Sequence, residues 1–273
     1  MTETSLPWAL AAGAAGVVGA MGATALIAKR SGKAAYVDAA WGASFVAATW
    51  AAVLAGLVEG YHGTWRSWLI VALVTVWGAR LTWHLGRRIV GSDHDDPRYE
   101  TYLGGPLRSV PFTRVVLKVF VLQAVLVVIV SWPVIVGIAR PVTAPWLVAL
   151  GAFLWLGGAC VEVIADAQLA AFRADPDRPR LLTTGLWSWS RHPNYFGDFC
   201  LWWGLWLVGG AASGFADAGL TVVAPVLMSW ILIGVSGVRL AETRMQGREG
   251  WAAYCVRTSI FIPWPPTRRS PIQ

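Results

Sequence analysis

The chain has 273 residues, of which 56% are hydrophobic and only 14% charged, and its mean hydropathy is +0.55. A soluble domain is usually about a quarter charged, so this composition excludes an ordinary water-soluble fold and points to a polytopic membrane protein. The net charge is +7, but the basic residues fall in loops between apolar runs and form no aromatic-interleaved tract, which sets nucleic acid aside as a partner.

A helix needs about 20 mainly apolar residues to cross a bilayer. Segments at 7–28, 36–58, 66–88, 113–138, 144–166, 193–212 and 218–240 meet that requirement. The predicted fold is therefore all-α: a polytopic integral membrane protein of about seven transmembrane helices. It reads as one membrane domain over 1–273, with N-terminal helices in 1–140 and a second half, 141–273, that carries most of the polar chemistry. The first apolar run has no basic n-region and reads as a retained helix, with a removed signal peptide as the lesser alternative. The spacing of Gly13, Gly16, Gly19 and Gly22 fits close helix packing. Cys160, Cys200 and Cys255 form no C-x-x-C pair, so neither a disulfide framework nor a zinc site is expected.

Basic residues cluster in alternate loops. Lys29, Arg30 and Lys33 follow the first segment, and Arg87, Arg88, Arg98, Arg108 and Arg114 follow the third. Arg173, Arg178, Arg180 and Arg191 follow the fifth, and Arg239, Arg244, Arg248, Arg257, Arg268 and Arg269 follow or end the seventh. The opposite loops hold only Arg66 and Arg140. Positive loops stay in the cytoplasm. The N-terminus is then outside and the C-terminus inside, in a membrane of the bacterial inner (plasma) type.

The early polar residues are few. Asp38 opens the second segment in "YVDAAWG", and Arg80 and His84 lie four apart near the end of the third. The loop "GSDHDDPRYETY" supplies Asp93, Asp95, Asp96, Arg98 and Tyr99, but it lacks a metal-ligand spacing such as H-x-x-x-H, and no metal is expected.

The second half is denser. Glu162 and Asp166 are four apart at the end of segment five, a costly placement near lipid unless partnered. Arg173 and Arg180 follow, and a guanidinium fork suits phosphate. Next comes "GLWSWSRHPNYFGD", Gly185 to Asp198. Pro193 suits the first turn of a helix. Arg191, His192, Asn194, Tyr195 and Asp198 then crowd its mouth, with Asn194 and Asp198 on one face. Unpaired N–H groups and the helix dipole at such a mouth favour an anion. Caps and interfacial anchors explain any one of these side chains, but not five within eight residues. Downstream, "GVRLAETRMQGREGWAAYCVRTSIFIPWPP" adds Arg239, Glu242 and Tyr254. A helix-end ion pair is the competing account of Arg239 and Glu242. No G-x-G-x-x-G follows a strand, and there is no P-loop and no G-x-S-x-G.

"GLWSWSRHPNYFGD" followed by "YCVRTSIFIPWPP" resembles the bacterial steroid 5α-reductase-like family, long catalogued as a domain of unknown function. More distantly the chain is similar to sterol C14-reductases and isoprenylcysteine carboxyl methyltransferases. The resemblance is strongest over about 160–265 and continues weakly from about 36, through "YVDAAWG" and "DDPRYETY". It implies NADPH as cofactor, a cofactor-binding reductase-like half at 141–273, and a site drawn from Glu162, Asp166, Arg173, Arg180, Arg191, His192, Asn194, Tyr195, Asp198, Arg239, Glu242 and Tyr254. Asp166, Arg173 and Arg180 follow the seven-residue spacing of an Asp and two Arg in steroid 5α-reductases. "FRADP", Phe172 to Pro176, looks like the sterol-reductase "FR-x-N-P" with Asp175 in place of Asn. The catalytic half departs from the family: segment three has no Tyr, leaving Asp38, His84 and Arg80 as candidates.

The expected function is reduction of a carbon–carbon double bond, of enone type, in a lipophilic steroid- or isoprenoid-like substrate. The substrate would reach the site from the bilayer, and membrane lipids are the other expected partners; no obligate protein partner is evident. Methyl transfer from S-adenosylmethionine to a lipid or isoprenyl group is one alternative. A non-catalytic membrane binding protein is the other.

Overall fold

The structure is a computed structural model that describes residues 4–267. Arg268 and Arg269, counted above among the cytoplasmic charges, lie outside the described residues. Helix α1 (Leu6–Ser31) ends in the left-handed cap Gly32, whose N–H bonds to the Ala28 carbonyl. Then come α2 (Tyr36–Val58), α3 (Trp65–Val90) and the short α4 (Pro97–Leu103). Helix α5 (Phe112–Val115) runs through a π-helical stretch, Val116–Val121, into α6 (Leu122–Val130) and α7 (Trp132–Ala139). Helix α8 (Pro145–Ala174) is the long one, with 30 residues. Beyond it lie α9 (Pro193–Gly209), α10 (Phe215–Thr221), α11 (Val223–Trp230), a π stretch at Ile231–Val235, α12 (Val238–Met245) and α13 (Trp251–Arg257). The described residues form no named strand; Ser190 and Ser259 make one isolated parallel bridge.

Among the described residues, six stretches are long and apolar enough to cross a membrane: Leu6–Ser31, Tyr36–Val58, Trp65–Val90, Phe112–Val130, Pro145–Ala174 and Phe215–Met245. The segment expected at 113–138 stops early as a single helix, at Val130. Pro133, in the first turn of α7, has no N–H to offer the preceding turn, and Ser131 Oγ donates to the Val127 carbonyl at 2.7 Å. The segment expected at 193–212 folds as α9, which has 17 residues.

The chain divides into two compact units, one of Met1–Val148 with Val208–Ala224 and one of Ala149–Leu207 with Pro225–Gln273. In the first, small residues let helices approach backbone to backbone. A Cβ on Gly16 of α1 would sit 2.6 Å from the Ala47 carbonyl oxygen of α2, and one on Gly42 of α2 would sit 2.3 Å from that of Gly78 of α3. Only the first half of the glycine run in α1 packs in this way. Gly13 and Gly16 meet neighbours, whereas Gly19 and Gly22 have nothing within 4 Å.

Arg66, counted above as a loop charge, is fully buried in this unit. Its guanidinium donates to Ser213 Oγ at 3.0 Å and to the carbonyls of Arg140 at 2.6 Å and Pro141 at 3.3 Å. It ties the start of α3 to the chain after α7 and to the turn after α9. Thr143 N adds a bond to the Ala212 carbonyl at 2.8 Å.

In the second unit α8 and α9 meet through paired glycines. A Cβ on Gly158 would be 2.5 Å from the Gly197 carbonyl oxygen, and one on Gly204 would be 2.6 Å from that of Gly151. The pairs are seven residues apart on each helix, the repeat that keeps one seam in register between two antiparallel helices.

Candidate functional site

The polar residues of the second unit gather around the mouth of α9. The chain between α8 and α9 is fastened first to α8. Gln168 Oε1 accepts from Leu186 N at 3.0 Å, and Trp187 Nε1 donates to the Ala165 carbonyl at 3.1 Å. It is fastened next to the C-terminal segment. Arg191 N donates to the Ser259 carbonyl at 2.8 Å, Ser190 Oγ to the Phe261 carbonyl at 2.7 Å, and Tyr254 Oη to the Trp187 carbonyl at 2.6 Å. Ser190 Oγ also accepts from His192 N at 3.1 Å, which caps the approach to α9.

Arg191, His192 and Glu242 form the centre of this fastening. Arg191 meets Glu242 in a two-pronged pair, Nε to Oε1 at 3.1 Å and Nη2 to Oε2 at 2.8 Å. Its Nη1 donates to the carbonyls of Thr258 at 2.9 Å and Cys255 at 3.2 Å. The ring of Trp251 lies 5.6 Å from the guanidinium carbon. His192 Nε2 lies 2.7 Å from Glu242 Oε1, and its ring stacks on Tyr195 with centroids 5.8 Å apart. Burial holds the His192 imidazole below its ordinary pKa and outweighs the opposing pull of Glu242; Arg191 adds to the depression. Burial likewise raises the Tyr254 phenol. The strongest donors and acceptors of Arg191, Glu242 and Tyr254 are thus spent within the chain, holding the mouth in shape.

A second group lies one step along. Asn194 Nδ2 reaches Asp166 Oδ1 at 3.4 Å. With its amide nitrogen turned to a carboxylate, its carbonyl end is fixed as an acceptor, and that Oδ1 is buried with no hydrogen-bond partner among the described residues. Glu162 is buried and Asp198 half-buried, and a Cβ on Gly197 would sit 2.7 Å from Glu162 N. The glycine seam therefore sets the distance between these acids' helices. The same unit carries exposed cations: Arg173 at the end of α8, Arg239 on α12, and Arg180, which pairs with exposed Glu249 at 3.0 Å.

The early candidates lie in the first unit. Asp38 Oδ2 accepts from Arg98 Nη2 at 2.9 Å, and its Oδ1 accepts from the Tyr99 hydroxyl. Arg98 also pairs with Asp96 at 2.9 Å, and Asp95 caps α2 by accepting from Ala34 N at 2.7 Å and Ala35 N at 2.9 Å. Burial opposes the Arg98 charge, but Asp96 and Asp38 outweigh it and raise its pKa; burial, then Asp38, raises that of Tyr99. Arg80 is half-buried on α3, while His84 is exposed and is not among the hydrogen-bond partners of Asp38. Tyr99 is the residue that sequence reasoning passed over: it was visible in "DDPRYETY", but only the turn before α4 brings it back to Asp38.

The residue types present would fit a nicotinamide dinucleotide: Asn194 Oδ1, buried without a hydrogen-bond partner among the described residues, would suit a carboxamide N–H, carboxylates such as Asp198 and Asp166 would suit ribose hydroxyls, and arginines would suit phosphate.

No curated protein and no solved structure matches the chain. The family model that does match is that of DUF1295, described as a protein of unknown function; it covers residues 25–258, and the chain belongs to that family.

Proposed function

We propose that this protein is an NADPH-dependent membrane reductase of the steroid 5α-reductase-like kind, acting on a carbon–carbon double bond in a lipophilic, enone-type molecule. The observation that carries the reading is Asn194: an amide whose acceptor end is buried without a hydrogen-bond partner among the described residues, held beside Asp166 at the mouth of α9. When bound, NADPH supplies the hydride. The chain's own residues do the rest. Asn194 accepts a hydrogen bond from a carboxamide, Asp198 and Asp166 accept from sugar hydroxyls, and Arg173 and Arg180 neutralise phosphate, Arg180 by leaving its exposed pair with Glu249. Arg191, His192 and Glu242 keep the mouth of α9 in shape.

The topology belongs to the same proposal: α9 crosses as a seventh span, with the N-terminus outside and the C-terminus in the cytoplasm of a bacterial-type inner membrane. The stretch Phe215–Met245 starts next to the turn that holds Ser213 and ends with Glu242 bonded to Arg191. Helix α9 runs between the same two points. Its 17 residues span about 25 Å, short for a free helix but sufficient for one packed along α8.

The test is ligand-induced thermal stabilisation of the purified protein in mild detergent. NADPH raises the melting temperature, NADH does so less, and S-adenosylmethionine does not. Asp198→Ala melts like the wild type alone but loses the NADPH shift. Arg173→Ala and Arg180→Ala each weaken binding by about 1.5–3 kcal/mol, the worth of a charged hydrogen bond. A shift with S-adenosylmethionine instead of NADPH replaces the reading with methyl transfer. NADPH binding without oxidation in the presence of any enone makes the protein a non-catalytic binder.

A further inference from the structure

The C-terminal segment after α13 has two faces. Phe261 turns inward: its ring lies 5.7 Å from that of Phe196 and 5.6 Å from that of Phe199, both on α9. Its alternate neighbours turn outward. Ile260 is 48% exposed, Ile262 62% and Trp264 68%, and Trp189 beside them is 46% exposed. Inside an apolar span such exposure is ordinary, but this segment lies outside all six candidate spans.

The segment is held in place. Besides the bonds from Ser190 and Arg191, Trp264 N donates to the Trp189 carbonyl at 3.0 Å, and Thr267 N returns to the Arg257 carbonyl at 3.1 Å, closing the loop on α13. Pro263, Pro265 and Pro266 have no N–H at all. Much of the polar backbone is therefore satisfied or absent, which lowers the cost of leaving water. Its level is set as well. Arg191, which bonds the carbonyls of Thr258 and Ser259, also holds Glu242 in the last turn of the span Phe215–Met245. The loop thus begins where a span ends, at the depth of the headgroups. In the sequence it is bracketed by cations, exposed Arg257 before it and Arg268 and Arg269 after it. Trp and apolar side chains flanked by Arg are the chemistry of an interfacial anchor on anionic lipid.

We infer that the loop over 258–267 is a membrane-surface anchor, with Ile260, Ile262 and Trp264 inserted at the headgroup–acyl boundary of an anionic phospholipid leaflet. Because its inner side carries Phe261 and the carbonyls that bind Arg191, immersion of this loop also steadies the mouth of α9. The inference requires a membrane protein but not any particular activity.

Fluorotryptophan-labelled protein in nanodiscs of equal parts phosphatidylcholine and phosphatidylglycerol tests it by fluorine NMR. The Trp264 resonance is the one missing from Trp264→Phe, a substitution at an exposed position that leaves the fold intact. A lipid carrying a doxyl group near its headgroup should broaden that resonance, and a water-soluble gadolinium chelate should leave it sharp. In pure phosphatidylcholine the lipid broadening should weaken. Broadening by the chelate and not by the lipid would place Trp264 in water and overturn the inference. Lipid broadening equal in the two compositions would overturn its anionic component.

Discussion

Arg191 shows how one side chain converts sequence-distant segments into a single mouth. Its guanidinium makes four hydrogen bonds, two to Glu242 and one each to the carbonyls of Cys255 and Thr258, and its backbone N–H donates to the Ser259 carbonyl. The pair with Glu242 is largely removed from solvent, 9% and 18% exposed at the side chains, so removing one partner strands the other. Arg191→Ala should lower stability by about 3 kcal/mol, and an Arg191→Met, Glu242→Met double variant should recover part of it, as read by melting in detergent. His192 adds a pH dependence. Its pKa is lowered by burial, so below about 6.5 the unfolded chain takes up a proton that the folded chain resists. Its contribution to stability is full above that pH, falls as the pH drops below it, and levels off beneath the lowered folded value. His192→Gln, which keeps an N–H for Glu242, should flatten that part of a melting-temperature profile between pH 7 and 5; an unchanged slope would assign it elsewhere.

At the scale of elements, glycine decides which helices can touch. Helices α8 and α9 approach through Gly158 and Gly197, with Gly151 and Gly204 one heptad away. A methyl at Gly197 would lie 2.6 Å from the Gly158 carbonyl oxygen and 2.7 Å from Glu162 N, both of them backbone atoms that cannot swing aside. Gly197→Ala is therefore expected to cost about 1–3 kcal/mol by forcing the helices apart. It should also shift α9 and its Asn194 and Asp198 against α8, so NADPH stabilisation should fall with it. Gly19→Ala on α1, where nothing lies within 4 Å, should leave melting unchanged or slightly raised. The two glycines look alike in sequence, and only their neighbours separate them.

At the scale of the molecule, Arg66 sharpens the charge asymmetry. Buried and bonded to Ser213, Arg140 and Pro141, it acts as an internal pin and not as a loop charge facing water. The loops opposite the basic ones then hold Arg140 alone, itself 3.8 Å from Asp217. An alkaline phosphatase fused after Gln273, active only outside the cytoplasm, should stay silent, and a fluorescent protein at the same place should light. Phosphatase activity would reverse the orientation and place the α9 mouth on the side that lacks cytosolic nucleotide.

The membrane character, the all-helical class and the neighbourhoods rich in chemistry were legible in the sequence, because hydropathy, Pro193 and charge sign act locally and do not depend on what lies across the fold. The polar string Arg191 to Asp198 stood out for the same reason: such residues are costly beside lipid and persist only where something holds them. Partnership was not legible. That Arg191 serves Glu242 while Asn194 keeps an open acceptor, that Tyr99 returns to Asp38 from 61 residues away, and that Phe261 faces in while Ile262 faces out all depend on long-range contacts. A side chain's donors find whichever acceptor the tertiary fold brings within about 3 Å, and no local rule of spacing encodes that distance.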